Sequence, residues 1–538
     1  MKKQFYLIAL VAFTLTSCDK NEADVNKNVV NEINTGLLIK KVKKLENPYS
    51  VSNMKKAYSA LQQEGLMKAA LNIEATHLYV RFLPKDSIEL ERMLGDTTLT
   101  LFSYPLDYEL TEGEKYIDST LIGNDFTWLY TRVPVGYTSP ISQYEVIEQL
   151  YLPTLIENNI QGIKSQKVSS NISDDWWEVL ENKSLELTGD SNSAQKINST
   201  QSIQKASNRW TPSATISVYD DKLSRNVPLQ GVRVRARWWF NWEDGLTDSS
   251  GIAVMSGSFS GKVNWSIVWE DFFWDIRDGW ISQAFYNGPN GSKSNWTLDI
   301  NSGKSKYYAT IHRAAYRMFY KNNLNTKNPF KYSFNPPSIK LCCLDEPGRS
   351  IYYTWVKFIP SPISWLFPDI KIYCKNRTSH EIFRSTIHEL SHIFHCYSMF
   401  GNEINFLTVN DVLVESWAIA FQYYIVNLEY SDYGYSSTFG DDFQDWPYKN
   451  YENEYSPLFI DLIDDYNQRL VLGVRTDGFE YANDSVKGYD LATLNNILIK
   501  SHGLESLSKN LKKQKPSGVT DSQIDNLINS IEMYYDKK

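Results

Sequence analysis

Basic clusters are missing from this chain: no run of Lys and Arg forms a stripe, and the formal net charge is −8. That excludes charge-driven attraction to nucleic acid or to an anionic membrane surface. Long apolar runs are missing too. Beyond the N-terminus nothing approaches the roughly 20 residues that a membrane-spanning helix requires. Cysteine is scarce, five residues in all, and no CxxC pair suggests a structural zinc. Only seven histidines occur in 538 residues, so any cluster of them stands out. What abounds is aromatic side chain, with 16 Trp and 35 Tyr, in a composition otherwise ordinary for a folded protein. The length exceeds one core and predicts roughly two to four domains.

The N-terminus, MKKQFYLIALVAFTLTSCDKNEAD, opens on Lys2 and Lys3 and runs through an apolar stretch from Phe5 to Leu15. That stretch has signal-peptide length and is short for a membrane span. It closes on LTSC, which is similar to the lipobox of bacterial lipoproteins. The resemblance implies a signal peptide over 1–17 and an acylated Cys18 that anchors the chain to a lipid bilayer. CDKNEAD resembles the export tags of surface lipoproteins in Bacteroides-like bacteria, which implies the outer membrane or cell surface as location. Residues 18–46 are polar and read as a tether. In an exported chain the remaining Cys342, Cys343, Cys374 and Cys396 meet oxidising conditions. Neighbouring Cys342 and Cys343 point to opposite faces of a strand. A Cys374–Cys396 bridge and free buried thiols both stay open.

The pattern along the chain reads as multidomain α+β. Residues 47–163 form a small α+β module of unreadable role: THLYVRFLP alternates as a strand, KDSIELERMLG has helical spacing, and TTLTLFSYPL is strand-like again. Residues 164–208 are Ser/Asn-rich and read as a linker. Over 209–304 the signals turn all-β. GVRVRARW sets Val232, Val234 and Ala236 against Arg233, Arg235 and Arg237, one buried face and one wet face. PLQGVRVRA and LTDSSGIAVMSG together are similar to the carboxypeptidase-regulatory-like β-sandwich. The tryptophans of this segment suit core packing, and exposed rings among them would suit contact with a glycan. Residues 305–538 are mainly helical, with strands at SIKLCCL and DIKIYCK. Helices are expected around 378–400, 409–428 and 455–468.

The chemistry lies in RTSHEIFRSTIHELSHIFHCYS. Thr378 and Glu381 make a capping box, and Phe383, Ile387, Leu390, Phe394 and Tyr397 repeat at helical spacing. On that helix His388 and His392 stand one turn apart and can share one ion. Glu389 sits one residue round, where a carboxylate can take a proton from water that the ion activates. HExxH on an amphipathic helix is therefore a candidate zinc site. His395 lies too far along the axis to converge on the same ion and reads as packing or support.

Two histidines do not complete a catalytic zinc site. In NDVLVESWAIAFQYYIV, Glu415 interrupts an apolar helix, and a buried carboxylate calls for a cation. HELSH followed by ESWA resembles the gluzincin metallopeptidases, which carry HExxH and then a ligand Glu on a later helix. The resemblance implies that His388, His392 and Glu415 bind Zn²⁺, that Glu389 is the general base, and that a His or Tyr steadies the oxyanion. Glu403 is a poorer third ligand. Asp411 is either a supporting carboxylate or a plain helix-start Asp. Tyr423, Tyr451, Tyr455 and His502 are available for the oxyanion, and Tyr455 is the choice.

The reading is a surface-anchored zinc hydrolase acting on peptide or protein. The absence of a GxMEN motif leans towards internal cleavage. The competing reading is a lipoprotein that binds glycan or protein on an inert zincin scaffold.

Overall fold

A computed structural model describes residues 43–67, 71–113, 116–121, 126–153, 174–190, 209–331, 338–353, 368–399, 406–435, 455–475 and 480–535. The 1–17 signal peptide, Cys18, Glu403 and Tyr451 lie outside the described residues. The chain is mixed α+β.

Its first part contains β1 (Lys43–Lys44), α1 (Val51–Gln63), β2 (His77–Phe82), α2 (Ser87–Leu94), β3 (Tyr108–Glu109), β4 (Leu129–Pro134), β5 (Tyr144–Leu150) and α3 (Asp174–Leu187). β2 is the central strand of an antiparallel sheet ordered β4-β2-β5, and β1 pairs with β3. Residues 43–44, read as the end of a tether, are thus laddered into the fold. TTLTLFSYPL is not the expected strand. It makes only an isolated bridge, from Phe102 to Tyr130 on the outer edge of β4, and no ladder among the described residues. The 164–208 segment is not all linker either. α3 buries Leu180 and Leu185, and the Tyr49 hydroxyl donates to Glu181 at 2.6 Å. Polar residues on either side hid its apolar spacing.

The middle of the chain is built from β6 (Ser213–Asp220), β7 (Arg225–Pro228), β8 (Arg233–Trp238), β9 (Asn241–Leu246), β10 (Ile252–Val254), β11 (Asn264–Val268), β12 (Trp274–Asp278), β13 (Ser282–Gln283), β14 (Phe285–Asn287) and β15 (Trp296–Ile300). One sheet runs β10-β6-β15 with β7 on β6, and the other runs β14-β11-β8-β9. Strict alternation in β6 buries Ala214, Ile216 and Val218, and Trp265 meets Trp296 with ring centroids 5.8 Å apart. The TDSSG turn needs Gly251 at φ +78°, where a Cβ would strike the Ile216 carbonyl at 2.4 Å.

The arginine face of β8 departs from expectation. Arg235 and Arg237 are buried. Arg235 forms a two-point pair with Asp244 at 2.7 and 2.8 Å, and Arg237 donates to the carbonyls of Leu106 and Trp239. The segment through Phe102 and Leu106 covers this face, with Phe102 over the Arg235 guanidinium. Alternation marks which face is polar; what packs on it is decided by a distant segment.

The last part adds β16 (Ile339–Leu344), β17 (Ile351–Tyr352) and β18 (Ile370–Tyr373) to β12 and β13, in the order β13-β12-β16-β18-β17. β12, β16 and β18 are parallel, and β17 closes one edge antiparallel. Residues 274–283, read as sandwich, therefore belong to this sheet. The helices of this part are α4 (Gly303–Tyr320), α5 (Ser379–Ser398), α6 (Asp411–Ser431), α7 (Leu458–Asp461), α8 (Gln468–Leu472), α9 (Leu491–Leu498), α10 (Leu504–Lys513) and α11 (Asp521–Tyr535), of which α4 and α5 pack on the sheet. Both α4 and α6 pack against α5. The helix expected over 455–468 is a single turn, α7.

A buried ion network ties these parts together. Arg313 of α4 bonds Asp220 at the end of β6 (2.6 Å) and Glu429 of α6 (3.1 Å), and Arg317 reaches Asp432 at 2.9 Å.

The four described cysteines are free, buried thiols. Adjacent strands β16 and β18 place Cys343 Sγ 3.6 Å from Cys374 Sγ, so the nearest described thiol to Cys374 is not Cys396.

Candidate metal centre

α5 starts where the sequence says it should. Thr378 caps Glu381 N–H, and the Glu381 carboxylate returns a bond to Thr378 N–H at 2.8 Å. From that fixed start the helix carries His388 and His392 to one side, and Nε2 of one lies 3.3 Å from Nε2 of the other. α6 begins at Asn410, whose side chain caps Val412 N–H at 2.9 Å, and it presents Glu415 opposite the two rings. Glu415 Oε2 is 3.4 Å from His388 Nε2 and 3.6 Å from His392 Nε2.

These separations carry the chemistry. Ligands at zinc distances on a tetrahedron stand about 3.3–3.4 Å apart, so the three donors form one face of such a site. Among the described residues this is the only group of three His, Cys, Asp or Glu donors within reach of one ion. Both rings are nearly buried, whereas a quarter of the Glu415 side chain is exposed, which leaves one side open to solvent.

Electrostatics point the same way. Burial drives Glu415 up, but His392, His388 and a hydrogen bond from the Tyr455 side chain outweigh it and hold the carboxylate low. Burial pulls His392 down to about 4, which keeps it neutral, as a ligand must be. His388 is pulled down by burial, yet Glu415 and Glu389 draw it above its ordinary range. The divergence of the two rings has a simple cause. Two carboxylates call for positive charge here; a proton on His388 meets part of that demand, and a divalent cation meets it in full.

Glu389 is buried, and burial lifts its pKa to about 7; Glu415 adds to the rise, while His388 and the Tyr352 backbone N–H oppose it. A carboxyl poised there can both accept and return a proton near neutral pH. Tyr352 lies on β17, and its ring is nearly parallel to that of His392 at 6.4 Å. Among the described residues no strand pairs with the outer edge of β17.

Tyr455 joins the site as well. Its ring lies 5.8 Å from that of His388, and the following residue, Ser456, donates its N–H to Ser416 Oγ at 2.9 Å. His395 is packed instead: it meets Phe406 edge-on at 5.1 Å, and among the described residues neither ring nitrogen finds a partner. His502 engages the Thr408 hydroxyl at 3.0 Å, Tyr423 meets Tyr424 edge-on at 5.0 Å, and Asp411 is exposed in the first turn of α6. Gln422, two turns beyond Glu415, was not foreseen. It is buried and within hydrogen-bonding reach of His388. A lone amide in AIAFQYYIV, seven residues from a ligand on the same helix, was the available signal.

No family model, curated protein or solved structure matches the chain.

Proposed function

We propose that this chain is a zinc-dependent peptidase, with His388, His392 and Glu415 as ligands. The single observation that carries this reading is the spacing of those three donor atoms, with Glu389 buried beside them. When bound, zinc supplies a Lewis acid that polarises the scissile carbonyl and makes water a nucleophile at neutral pH. Glu389 takes the proton from that water and returns it to the leaving amine. Tyr455 donates its hydroxyl to the developing oxyanion.

The proposed division follows the chain: an α+β module over 47–163, a sandwich within 209–304, and a zincin-like unit over 305–538 that borrows β12 and β13. The proposal includes export and acylation at Cys18, supported by the LTSC stretch, and a location on the outer membrane or cell surface, supported by the CDKNEAD stretch.

The competing reading, a binding lipoprotein on an inert scaffold, drew on the tryptophans. Trp238, Trp239, Trp265, Trp269, Trp274 and Trp296 are buried, and the exposed Trp280 lies under Lys371. No row of exposed rings supports glycan contact among the described residues. The deciding experiment compares wild type with Glu389→Gln on a broad peptide library. Hydrolysis that collapses while zinc content holds supports the enzyme; equal rates in both favour the scaffold.

A further inference from the structure

A second cluster of oxygen atoms lies beyond α7. Asp461, the last residue of that turn, has a fully buried carboxylate; Oδ1 accepts from Gln468 Nε2 at 2.8 Å, and Oδ2 has no partner among the described residues. Gln468, also fully buried, leaves its Oε1 without a partner among the described residues. The amide cannot be turned over to relieve this, since its nitrogen is fixed by the Asp461 oxygen. Asp484 is 6% exposed, and its Oδ1 is likewise without a partner.

The backbone holds these three together. Arg469 N–H bonds the Ala482 carbonyl at 2.9 Å and the Asn467 amide bonds the Asp484 carbonyl, so the start of α8 lies against residues 482–484. Tyr424 contributes another buried hydroxyl oxygen without a partner among the described residues; burial raises its pKa, and Asp464 and Asp461 add to the rise. Among the described residues no lysine or arginine pairs with Asp461 or Asp484.

Orphaned acceptors are costly in a protein interior. Burial raises the pKa of both carboxyls, with Asp484 adding to the rise of Asp461 and Asp464 to that of Asp484, which is lifted to about 7, so without a cation the pair holds on to protons. A divalent cation can replace those protons and meet the orphaned oxygens together. The donor set is all oxygen, two carboxylates and an amide, with no sulfur or imidazole. Hard cations select such a set, and calcium tolerates the irregular geometry of a loop better than magnesium does. We propose that Asp461, Gln468 and Asp484 form a calcium site separate from the His388–His392–Glu415 centre.

The site would brace the segment that supplies Tyr455. That segment is tied to α6 by Ser456 on Ser416 and by Phe459 packed edge-on against Trp417 at 5.4 Å, and the Tyr455 carbonyl accepts the Tyr535 hydroxyl at 2.6 Å. Asp461 lies two residues past Phe459.

The test uses the full-length chain loaded with zinc. Calcium should raise the melting midpoint by roughly 3–6 °C at saturation, and magnesium at the same concentration should not. Terbium should give tyrosine- or tryptophan-sensitised luminescence that calcium displaces. Asp484→Asn should lose both responses and keep its zinc. Should Asp484→Asn fail to fold, the wild-type titrations decide. A wild type that shows neither a calcium-dependent shift nor displaceable terbium luminescence overturns the proposal, and so does an unchanged response in Asp484→Asn.

Discussion

The ring of Tyr455 stands almost perpendicular to that of His388, at 84° and 5.8 Å between centroids, while its side chain hydrogen-bonds Glu415. A residue from a loop far along the sequence thus reaches both helices that supply the proposed metal ligands. Under the proposed function its hydroxyl would move from that carboxylate to a substrate oxygen. Tyr455→Phe should lower kcat on a peptide substrate by about 10²-fold or more, with KM little changed. Steady-state kinetics on one fluorogenic peptide checks this, and an unchanged kcat would remove Tyr455 from the mechanism.

Glu389→Gln is expected to cost about 10²–10⁴ in kcat/KM, the range for losing a general base. Bound zinc, counted by mass spectrometry, should stay near one per chain, because Glu389 is beside the ligands and not one of them.

Gln422→Ala tests the group behind the ligand. A partner that orients a metal-binding histidine commonly contributes 10–100-fold in metal affinity. Zinc affinity measured by competition with a chelating dye should weaken by about that factor with the melting midpoint nearly unchanged. Wild-type affinity would assign Gln422 to packing alone.

His395 gives a pH prediction with a definite sign. Burial, with His392 and His502 adding to it, pulls its pKa from 6.5 to about 3. Between those values the unfolded chain holds a proton that the folded chain refuses. Its contribution to stability is therefore full above 6.5 and is lost as pH falls towards 3. His395→Leu should make the fall in unfolding free energy over that window shallower, by up to one proton in slope, and leave zinc content intact. Loss of zinc in this variant would instead make His395 a ligand.

Arg313→Met should destabilise the fold by about 3–5 kcal/mol in denaturant unfolding, because it strands Asp220 in the interior without its cation and leaves Glu429 with only Arg317 and Lys321. A cost below about 1 kcal/mol would mean that Tyr430 and the backbone donors at Asp220 suffice.

What the sequence made legible was local. The capping box at Thr378, the one-turn spacing of His388 and His392, and Glu415 in an apolar helix each follow from a few neighbouring residues. What it hid depended on distant packing. Arg235 and Arg237 look solvated until Phe102 and Leu106 lie across them. Residues 97–106 have strand composition but make a single bridge to β4, with Phe102 and Leu106 turned to the arginines of β8. Gln422 looks like an isolated polar residue until α5 is set against α6 and His388 comes into reach. Trp274 and Ile276 read as sandwich because nothing local says which sheet a strand will join.

That last point bears on how the molecule can be cut. β12 is the parallel neighbour of β16 in the sheet beneath α5, and Trp274, Ile276 and Arg277 are buried in it. A fragment beginning at residue 305 would lose this strand and bare the long flank of β16, with its amide and carbonyl groups free to recruit another chain. Such a fragment should come out of cells aggregated, whereas one that begins before Ser213 retains every strand of that sheet. The two halves share their wall, and neither was built to stand in isolation.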